Sequence, residues 1–430
     1  MRVVCCTVLC LLVLGSAGFA AEDAVSADVE RMYPELEKLY IELHQNPELS
    51  LQEFKTAARL AGLLRPLGYD VTEKVGGTGV VAVLKNGPGP VVLFRTDMDG
   101  LPVEEKSGVP YASKAKTADG VPTMHACGHD LHMAAWVGTA RWMAANKPRW
   151  SGTLVMIAQP AEEVGKGAQA MLKDGLYTKF PKPNFALAMH DAADLPAGKV
   201  GVISGYALAN ADTLDITIFG RGGHGAYPHM TVDPIVLAAR IVMGLQTLVS
   251  RENNPLDPAV ITVGQIHGGT KDNIIPDQVK LGLSIRSYKP EVREALLKGI
   301  ERVARAEATA AGAPRMPEFQ QTESTKSTYN DPELTKRMEA ALRNSLGAVN
   351  VVTVEPKMAA EDFSEYRQQN VPSFLMWVGA VNPKKYAEAQ KTGATLPSLH
   401  SPLFAPDPGP SIRTAVVAEI AVLLDLLGKR

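Results

Sequence analysis

Four groups of residues in this sequence carry side chains suited to chemistry. The densest is His125-Ala-Cys127-Gly-His129-Asp130-Leu-His132. A thiolate and an imidazole two residues apart in a glycine-containing turn can face one cation, and both are good ligands for a borderline-soft ion such as zinc. The competing account is a helix N-terminus with incidental polar residues. The second group is Glu162-Glu163 in AQPAEEVGKG. On a loop, adjacent side chains point different ways, so one carboxylate can hold a metal while its neighbour moves a proton. In a first helical turn the same acids would merely complement the helix dipole. The third group, His190-Asp191, follows the apolar run Phe185–Met189, and the fourth is His400 in Leu-His-Ser-Pro-Leu-Phe. A lone histidine in either place suits a structural role as well as a ligand. Taken together the set offers one cysteine, three histidines and one glutamate as ligands, with one glutamate to spare. Five ligands suit two ions sharing a bridge, and ions roughly 3.5–4 Å apart recur in hydrolytic sites.

These groups need elements to position them. Apolar residues recur at the helical period through Leu36, Leu39, Tyr40 and Leu43, and again through Ala57, Leu60, Ala61 and Leu64. Strand-like runs at 80–84, 91–94, 153–158 and 185–189 alternate with helical stretches at 130–145 and 166–174. That alternation indicates an α/β domain with a largely parallel sheet, whose sites lie at strand ends and in glycine-rich loops. The pattern changes after about residue 208. Leu214, Ile216 and Ile218 alternate with polar residues, as do Val279, Leu281, Leu283 and Ile285, with helical stretches at 233–248 and 291–311. This β-α-β-β-α order indicates a separate α+β unit with an antiparallel sheet, inserted at 209–313 between 27–208 and 314–430. A strand at 374–378 and a helix at 412–427 return to the first pattern.

The chain has 430 residues, 46% apolar and 21% charged, with a formal charge of −2. That balance excludes a nucleic-acid binder driven by bulk charge and excludes wholesale disorder. The first 20 residues have the layout of a secretory signal: Arg2, an apolar run from Val3 to Leu14, then Gly18-Phe19-Ala20. Cleavage near Ala20 would remove Cys5, Cys6 and Cys10 and leave Cys127 as a single thiol in an exported protein. Metal ligation would explain how such a thiol survives oxidising surroundings. No later stretch is expected to reach 18 apolar residues, so no membrane contact is expected of the mature form.

Eight segments, in order, make the sequence recognisable: RTDMDGLPVEE (95–105), MHACGHDLHMA (124–134), AQPAEEVGKGAQAML (158–172), AMHD (188–191), GRGGHGAYPH (220–229), GTKDNIIPD (269–277), MAAEDFSEY (358–366) and LHSPLF (399–404). Over nearly all of the mature chain it resembles the M20 metallopeptidase family, specifically the amidohydrolase branch with hippurate hydrolases, N-acyl-amino-acid amidohydrolases and plant auxin-conjugate hydrolases. The resemblance implies a two-domain fold: a zinc-peptidase-like catalytic α/β domain and an inserted, ferredoxin-like α+β lid that also forms a homodimer contact. It implies that Cys127 bridges two divalent ions, with His129 and His190 completing one site and Glu163 and His400 the other. Zinc, manganese, cobalt and nickel all suit that mixed ligand set. Glu162 matches the general base, and Asp97 matches an acid that orients a ligand from behind. Asp130 matches a similar part. His224 matches a lid residue that reaches the partner's active site and polarises the scissile carbonyl. Asn273 and Arg286 match positions that hold the substrate carboxylate, a task suited to the two-pronged guanidinium; on an alternating strand, Arg286 could equally be a surface charge. Gly100, Gly225 and the segment LSIRSY depart from the commoner pattern without removing a ligand or the base.

The expectation is an exported dinuclear amidohydrolase that cleaves N-acyl amino acids, small molecules, to a carboxylic acid and a free amino acid. Three rivals remain: a metallo-dipeptidase or aminopeptidase of the same superfamily, a non-catalytic exported binding protein, and a zinc-stabilised structural protein. The Cys-x-His pattern favours the amidohydrolase branch by analogy. The intact Glu162/Glu163 pair weighs against the binder, and ligands spread from 127 to 400 weigh against a local structural staple.

Overall fold

The computed structural model describes residues 11–429. Cys5, Cys6 and Cys10 of the expected leader lie outside the described residues. In chain order the first elements are α1 (Leu11–Gln45), α2 (Phe54–Leu64), β1 (Asp70–Val75), β2 (Gly79–Asn86), β3 (Val91–Asp97), α3 (His129–Ala145), β4 (Gly152–Gln159), α4 (Gly167–Lys173), β5 (Phe185–Pro196) and β6 (Val200–Val202). Then come β7 (Gly205–Leu208), β8 (Asn210–Phe219), β9 (Gly223–His224), α5 (Pro234–Thr247), β10 (Ala259–Gly268), β11 (Ile274–Ile275), β12 (Gln278–Ser287), α6 (Pro290–Ala310), β13 (Glu318–Thr325) and β14 (Thr328–Asn330). The last are α7 (Pro332–Leu346), β15 (Val351–Thr353), β16 (Ser373–Val381), α8 (Pro383–Thr392) and α9 (Pro408–Leu427). Many helices start where the sequence places an acid or amide before proline. Asp233, Asp331 and Asn382 each accept backbone N–H groups at the helix start, and the following proline gives up an N–H that has no helical partner.

The chain divides into two compact units. The first takes the chain to Ser204, with Asn330–Val354 and Tyr366–Arg430. Its sheet has eight strands in the order β1-β2-β4-β3-β5-β16-β6-β15. The centre is parallel: β3 pairs in parallel with β4 and with β5, and β5 with β16. The strands β3, β4 and β16 are nearly unbroken buried runs, as expected where both faces of a parallel sheet are covered. Helices α1, α3 and α9 pack together over one face around Trp136, Trp142 and Ile412. Because β3, β4, β5 and β16 run the same way, their carboxyl ends share one edge of the sheet.

The second unit comprises Gly205–Tyr329 and Glu355–Glu365. Its four-stranded antiparallel sheet has the order β10-β12-β8-β13. Burial alternates along β8 and β12, and the buried sides face α5 and α6 through Ile216, Leu281, Ile285, Ile241 and Ile300. The order β8-α5-β10-β12-α6-β13 is the βαββαβ arrangement of a ferredoxin-like unit. Its sheet continues past the boundary expected at 313, because β13 pairs with β8 from Glu318 to Thr325. That strand, EFQQTEST, is mostly exposed and carries no apolar alternation to mark it in the sequence. One described helical stretch, Pro234–Glu252, is long and apolar enough by composition to cross a membrane, contrary to expectation. Its residues Leu237, Ala238, Ile241, Leu245 and Leu248 are buried in the unit's own core, which accounts for the composition.

Candidate active site

The strand β3 ends on Asp97, and two residues on is Asp99. The strand β4 ends on Gln159, and the Glu162-Glu163 pair follows in the next turn. The strand β5 carries His190 and Asp191. All three segments reach one edge of the sheet, the position where open α/β sheets build sites. The Cys127 turn leads into α3, with His129 as its first residue. Gly128 takes a left-handed φ of 74°, and a Cβ there would lie 2.5 Å from a carboxylate oxygen of Asp191. Glycine is therefore required twice over, for backbone shape and for room.

Five of the expected residues come together. The donor atoms of Cys127, His129 and His190 lie within 4.8 Å of one another, as do those of Cys127, Glu163 and His400. The Sγ of Cys127 belongs to both groups, 3.6 Å from Nε2 of His190 and 3.3 Å from Nε2 of His400. The same His400 nitrogen is 3.3 Å from Glu163 Oε2. His400 itself adopts a left-handed φ of 65°, and its backbone N–H donates to the carbonyl of Ala126, beside Cys127.

Backbone carbonyls aim the imidazoles. Nδ1 of His129 lies 2.8 Å from the carbonyl of Asp99, and Nδ1 of His190 lies 2.8 Å from the carbonyl of Asp191. Each contact puts the proton on Nδ1 and leaves Nε2 as the free lone pair. Nε2 of His129 and Oε1 of Glu163 are buried, 3.8 Å apart and without hydrogen-bond partners among the described residues. Two orphaned buried atoms facing each other lose solvation with no return unless a cation lies within their reach. The charge pattern agrees. Asp97, Asp99, Glu163 and Asp191 are buried around this point. Burial pushes the Cys127 thiol well above its usual range, and the Glu163 and Glu162 charges push the same way. Burial also lifts Glu163 to about 7. Burial opposes charging of His129, yet Asp97, Asp99 and Glu163 outweigh it and hold that ring well above its ordinary value. A divalent cation reverses all three tendencies at once, because it favours thiolate, carboxylate and neutral imidazole. The residues present therefore fit divalent metal.

Behind the ligands, Asp97 accepts from Arg95 at 2.6 Å and faces Nδ1 of His132 at 2.7 Å. The backbone N–H of Asp191 donates to Nε2 of His132 at 2.8 Å, which places the ring proton on Nδ1, toward Asp97. Asp97 Oδ2 stands 3.7 Å from Nε2 of His129. Glu162 lies at the rim of the cluster, 9% exposed, with Oε2 3.9 Å from that same nitrogen.

Two aspartates differ from expectation. Asp130 does not face the cluster; it lies 2.6 Å from Nδ1 of His44, whose Nε2 lies 3.1 Å from Glu105. As the second residue of α3 it projects away from the side His129 takes, one residue being about 100° of helical turn. The position missed is Asp99. Its carbonyl aims His129, its carboxylate accepts the backbone N–H groups of Glu162 (3.2 Å) and Glu163 (3.1 Å), and Ser50 donates to it at 2.6 Å. The signal was present in RTDMD, where two acids are spaced two apart on extended chain. His224, Asn273 and Arg286 belong to the second unit. His224 and Asn273 are exposed neighbours there, since Ile274 pairs with His224 and the N–H of Gly225 donates to the Asn273 carbonyl at 2.8 Å. Arg286, in β12, is half-buried, and burial lowers its pKa.

The His44 cluster predicts a pH-dependent stability. Burial opposes protonation, but Asp130 and Glu105 outweigh it and raise His44 from 6.5 to about 10. A raised histidine stabilises the fold fully below its unfolded pKa and loses that contribution as pH climbs through the folded one. We expect the stability difference between the protein and His44→Gln to be largest near pH 6 and to shrink by a few kcal/mol toward pH 10, a unit of pKa being about 1.4 kcal/mol. Denaturant titrations of both proteins across that range check it; a difference that grows with pH contradicts the assignment.

Thiol, imidazole and carboxylate donors gathered at one sheet edge, with a further carboxylate beside them, define a metal-dependent hydrolase. Peptidase family M20/M25/M40 matches residues 93–395. An N-acetylcysteine deacetylase of Bacillus subtilis is 35% identical over 387 residues, covering 89% of this chain and 95% of the relative. An IAA-amino acid hydrolase ILR1-like 2 of Arabidopsis thaliana is 34% identical, covering 85% of this chain and 80% of the relative. A solved structure of the Bacillus subtilis YXEP protein, described as a dinuclear metal binding peptidase from the M20 family, superposes with a TM-score of 0.74 at 30% identity, covering 92% of this chain and 99% of that one. This chain belongs to the M20 peptidase family, in its amidohydrolase branch, and is a hydrolase of amide bonds.

Proposed function

We propose that this protein is an exported, dinuclear hydrolase of N-acyl amino acids, acting as a homodimer. The observation that carries the dinuclear reading is the double membership of Cys127. One sulfur serves a His129/His190 group and a Glu163/His400 group. When bound, the ions would activate water and polarise the amide carbonyl. The chain's own residues do the rest. Glu162 takes the proton from the attacking water and delivers it to the departing amine. The carbonyl of Asp99 and the Asp97–His132–Asp191 series hold the ligands in place. His224 is assigned the stabilisation of the developing oxyanion, and Asn273 and Arg286 the substrate carboxylate. An acyl amino acid supplies both features, an amide to cleave and a carboxylate to grip. The relatives' names point the same way: one is an N-acetylcysteine deacetylase, another an IAA-amino acid hydrolase.

The edge strand β10 and helix α5 support the dimer. Val260 and Ile266 on the strand, and Ile235, Val236 and Met243 on the helix, are exposed apolar residues on the second unit, Met243 by 71%. An open edge with such residues beside it invites pairing with a second copy. The secretory-signal layout of residues 1–20 supports the export reading.

The test is hydrolysis of N-acetyl, N-benzoyl and indole-acetyl amino acids beside simple dipeptides, with metal content measured in parallel. We expect two ions per chain, release of amino acid from the acylated set, and loss of activity with chelator that returns on adding metal. Turnover of dipeptides alone would move the protein to the peptidase branch. Bound metal with no turnover of either set would favour a binding protein.

A further inference from the structure

The loop that carries Glu162 is held in a conformation its sequence does not favour. Ala161 takes a left-handed φ of 50° and is buried. A residue with a Cβ rarely adopts that region unless its surroundings enforce it. Part of the enforcement is internal. The Ala161 carbonyl accepts N–H groups from Lys166 and Gly167, both at 3.2 Å, and the Glu162 carbonyl accepts from Gly165 at 2.7 Å. The rest is external and comes from two carboxyl groups. The N–H groups of Glu162 and Glu163 go to Asp99, and the N–H of Ala161 donates to Oε1 of Glu53 at 2.8 Å.

Glu53 lies outside the metal cluster and is fully buried. Its Oε1 also accepts the N–H of Leu51 at 2.9 Å, and its Oε2 accepts the Thr78 hydroxyl at 2.5 Å. Leu51 is itself left-handed, with φ 66°. One carboxylate thus ties together two left-handed residues from segments more than 100 positions apart, the hydrogen bond to Ala161 spanning 108. Nothing in the proposed chemistry uses Glu53. A buried acid that gives one oxygen to two backbone N–H groups, one of them that of the residue before the base, has a geometric task.

We propose that Glu53 is a positioning residue for turnover: it fixes the left-handed turn at Ala161 and so sets where Glu162 stands. This rests on the assignment of Glu162 as the base. The task requires an acceptor at the correct reach and no charge. Burial raises the Glu53 carboxyl above its ordinary value, consistent with that. Glutamine keeps the reach, with its carbonyl on the two N–H groups and its amide donating to the Thr78 oxygen. Aspartate keeps the charge and loses the reach by one methylene. Displacement of a catalytic group by about 1 Å costs on the order of a hundredfold in rate.

The experiment compares metal-loaded E53Q, E53D and E53A. We expect E53Q to keep kcat within a few-fold, E53D to lose about a hundredfold in kcat with KM little changed, and two ions to stay bound in both. Amide hydrogen exchange supplies a readout that does not depend on what Glu162 does. Exchange should accelerate at Ala161–Glu163 in E53D and stay slow in E53Q. The reverse activity order, E53D active and E53Q not, would overturn the proposal, because charge would then be the requirement. Unchanged exchange in E53D, or accelerated exchange with undiminished kcat, would overturn it too. Should E53A fail to fold, the order of the two conservative variants still decides. If the base assignment itself is wrong, E162Q stays active whatever the Glu53 variants do, so the two failures are separable.

Discussion

Replacing Glu162 with glutamine should lower turnover by about a thousandfold or more with metal content unchanged. General acid–base groups contribute roughly 10²–10⁴ in rate, and a residue that serves as base and then as acid belongs at the upper end of that range. Glutamine has the same shape, so the backbone bond from Glu162 to Asp99 at 3.2 Å is undisturbed. What it removes is the ability to accept a proton from water and return it to the amine. Steady-state kinetics with metal analysis of the same sample checks both halves. A variant within tenfold of the parent rate would pass the role to another group. Loss of metal would instead make Glu162 a ligand.

Cys127→Ala should lower metal content per chain, with activity falling by a similar or larger factor than in the Glu162 variant. The sulfur is the one donor common to both groups, 3.6 Å from His190 Nε2 and 3.3 Å from His400 Nε2. Its removal leaves each group with two side-chain donors, His129 with His190 and Glu163 with His400, where tetrahedral sites normally offer three or four. Metal stoichiometry after dialysis, and loss of the sulfur-to-metal absorption of a cobalt-substituted sample, measure the change. Unchanged stoichiometry would remove Cys127 from the ligand set.

Much of this site was legible because its residues fall into short motifs joined to periodic elements. Cys127 sits in a glycine turn that leads into His129 at the start of α3, Glu163 after β4, and His190 on β5; the structure gathers them with His400, which lies in irregular chain where residue type alone suited a structural role as well as a ligand. The supporting groups were harder. Successive side chains on extended chain point to opposite sides, so RTDMD offered Asp97 and Asp99 without saying which would serve the ligands and which the loop beyond β4. Asp130 was misplaced because adjacency in sequence is not adjacency on a helix. Glu53 was invisible, since its partner is a backbone N–H 108 residues away, and backbone donors leave no trace in composition. At the level of the fold, apolar alternation exposed β8 and β12 but not β13 or β1, whose polar strands lie at sheet edges. Edge strands need little apolar surface, so hydrophobic period alone cannot find them.

The contact between Cys127 and His400 spans 273 residues of chain. At synthesis rates of roughly 5–20 residues per second, His400 leaves the ribosome about 14–55 s after Cys127 does. Through that interval the thiol is without the partner that completes its second group. Maturation of the centre is therefore a late event, set by the arrival of the carboxyl-terminal segment, which also supplies β16 and α9 to the α/β unit. A chain stopped short of residue 400 would carry an incomplete cradle with an unshielded thiol, a ready target for oxidation or for a mismatched metal.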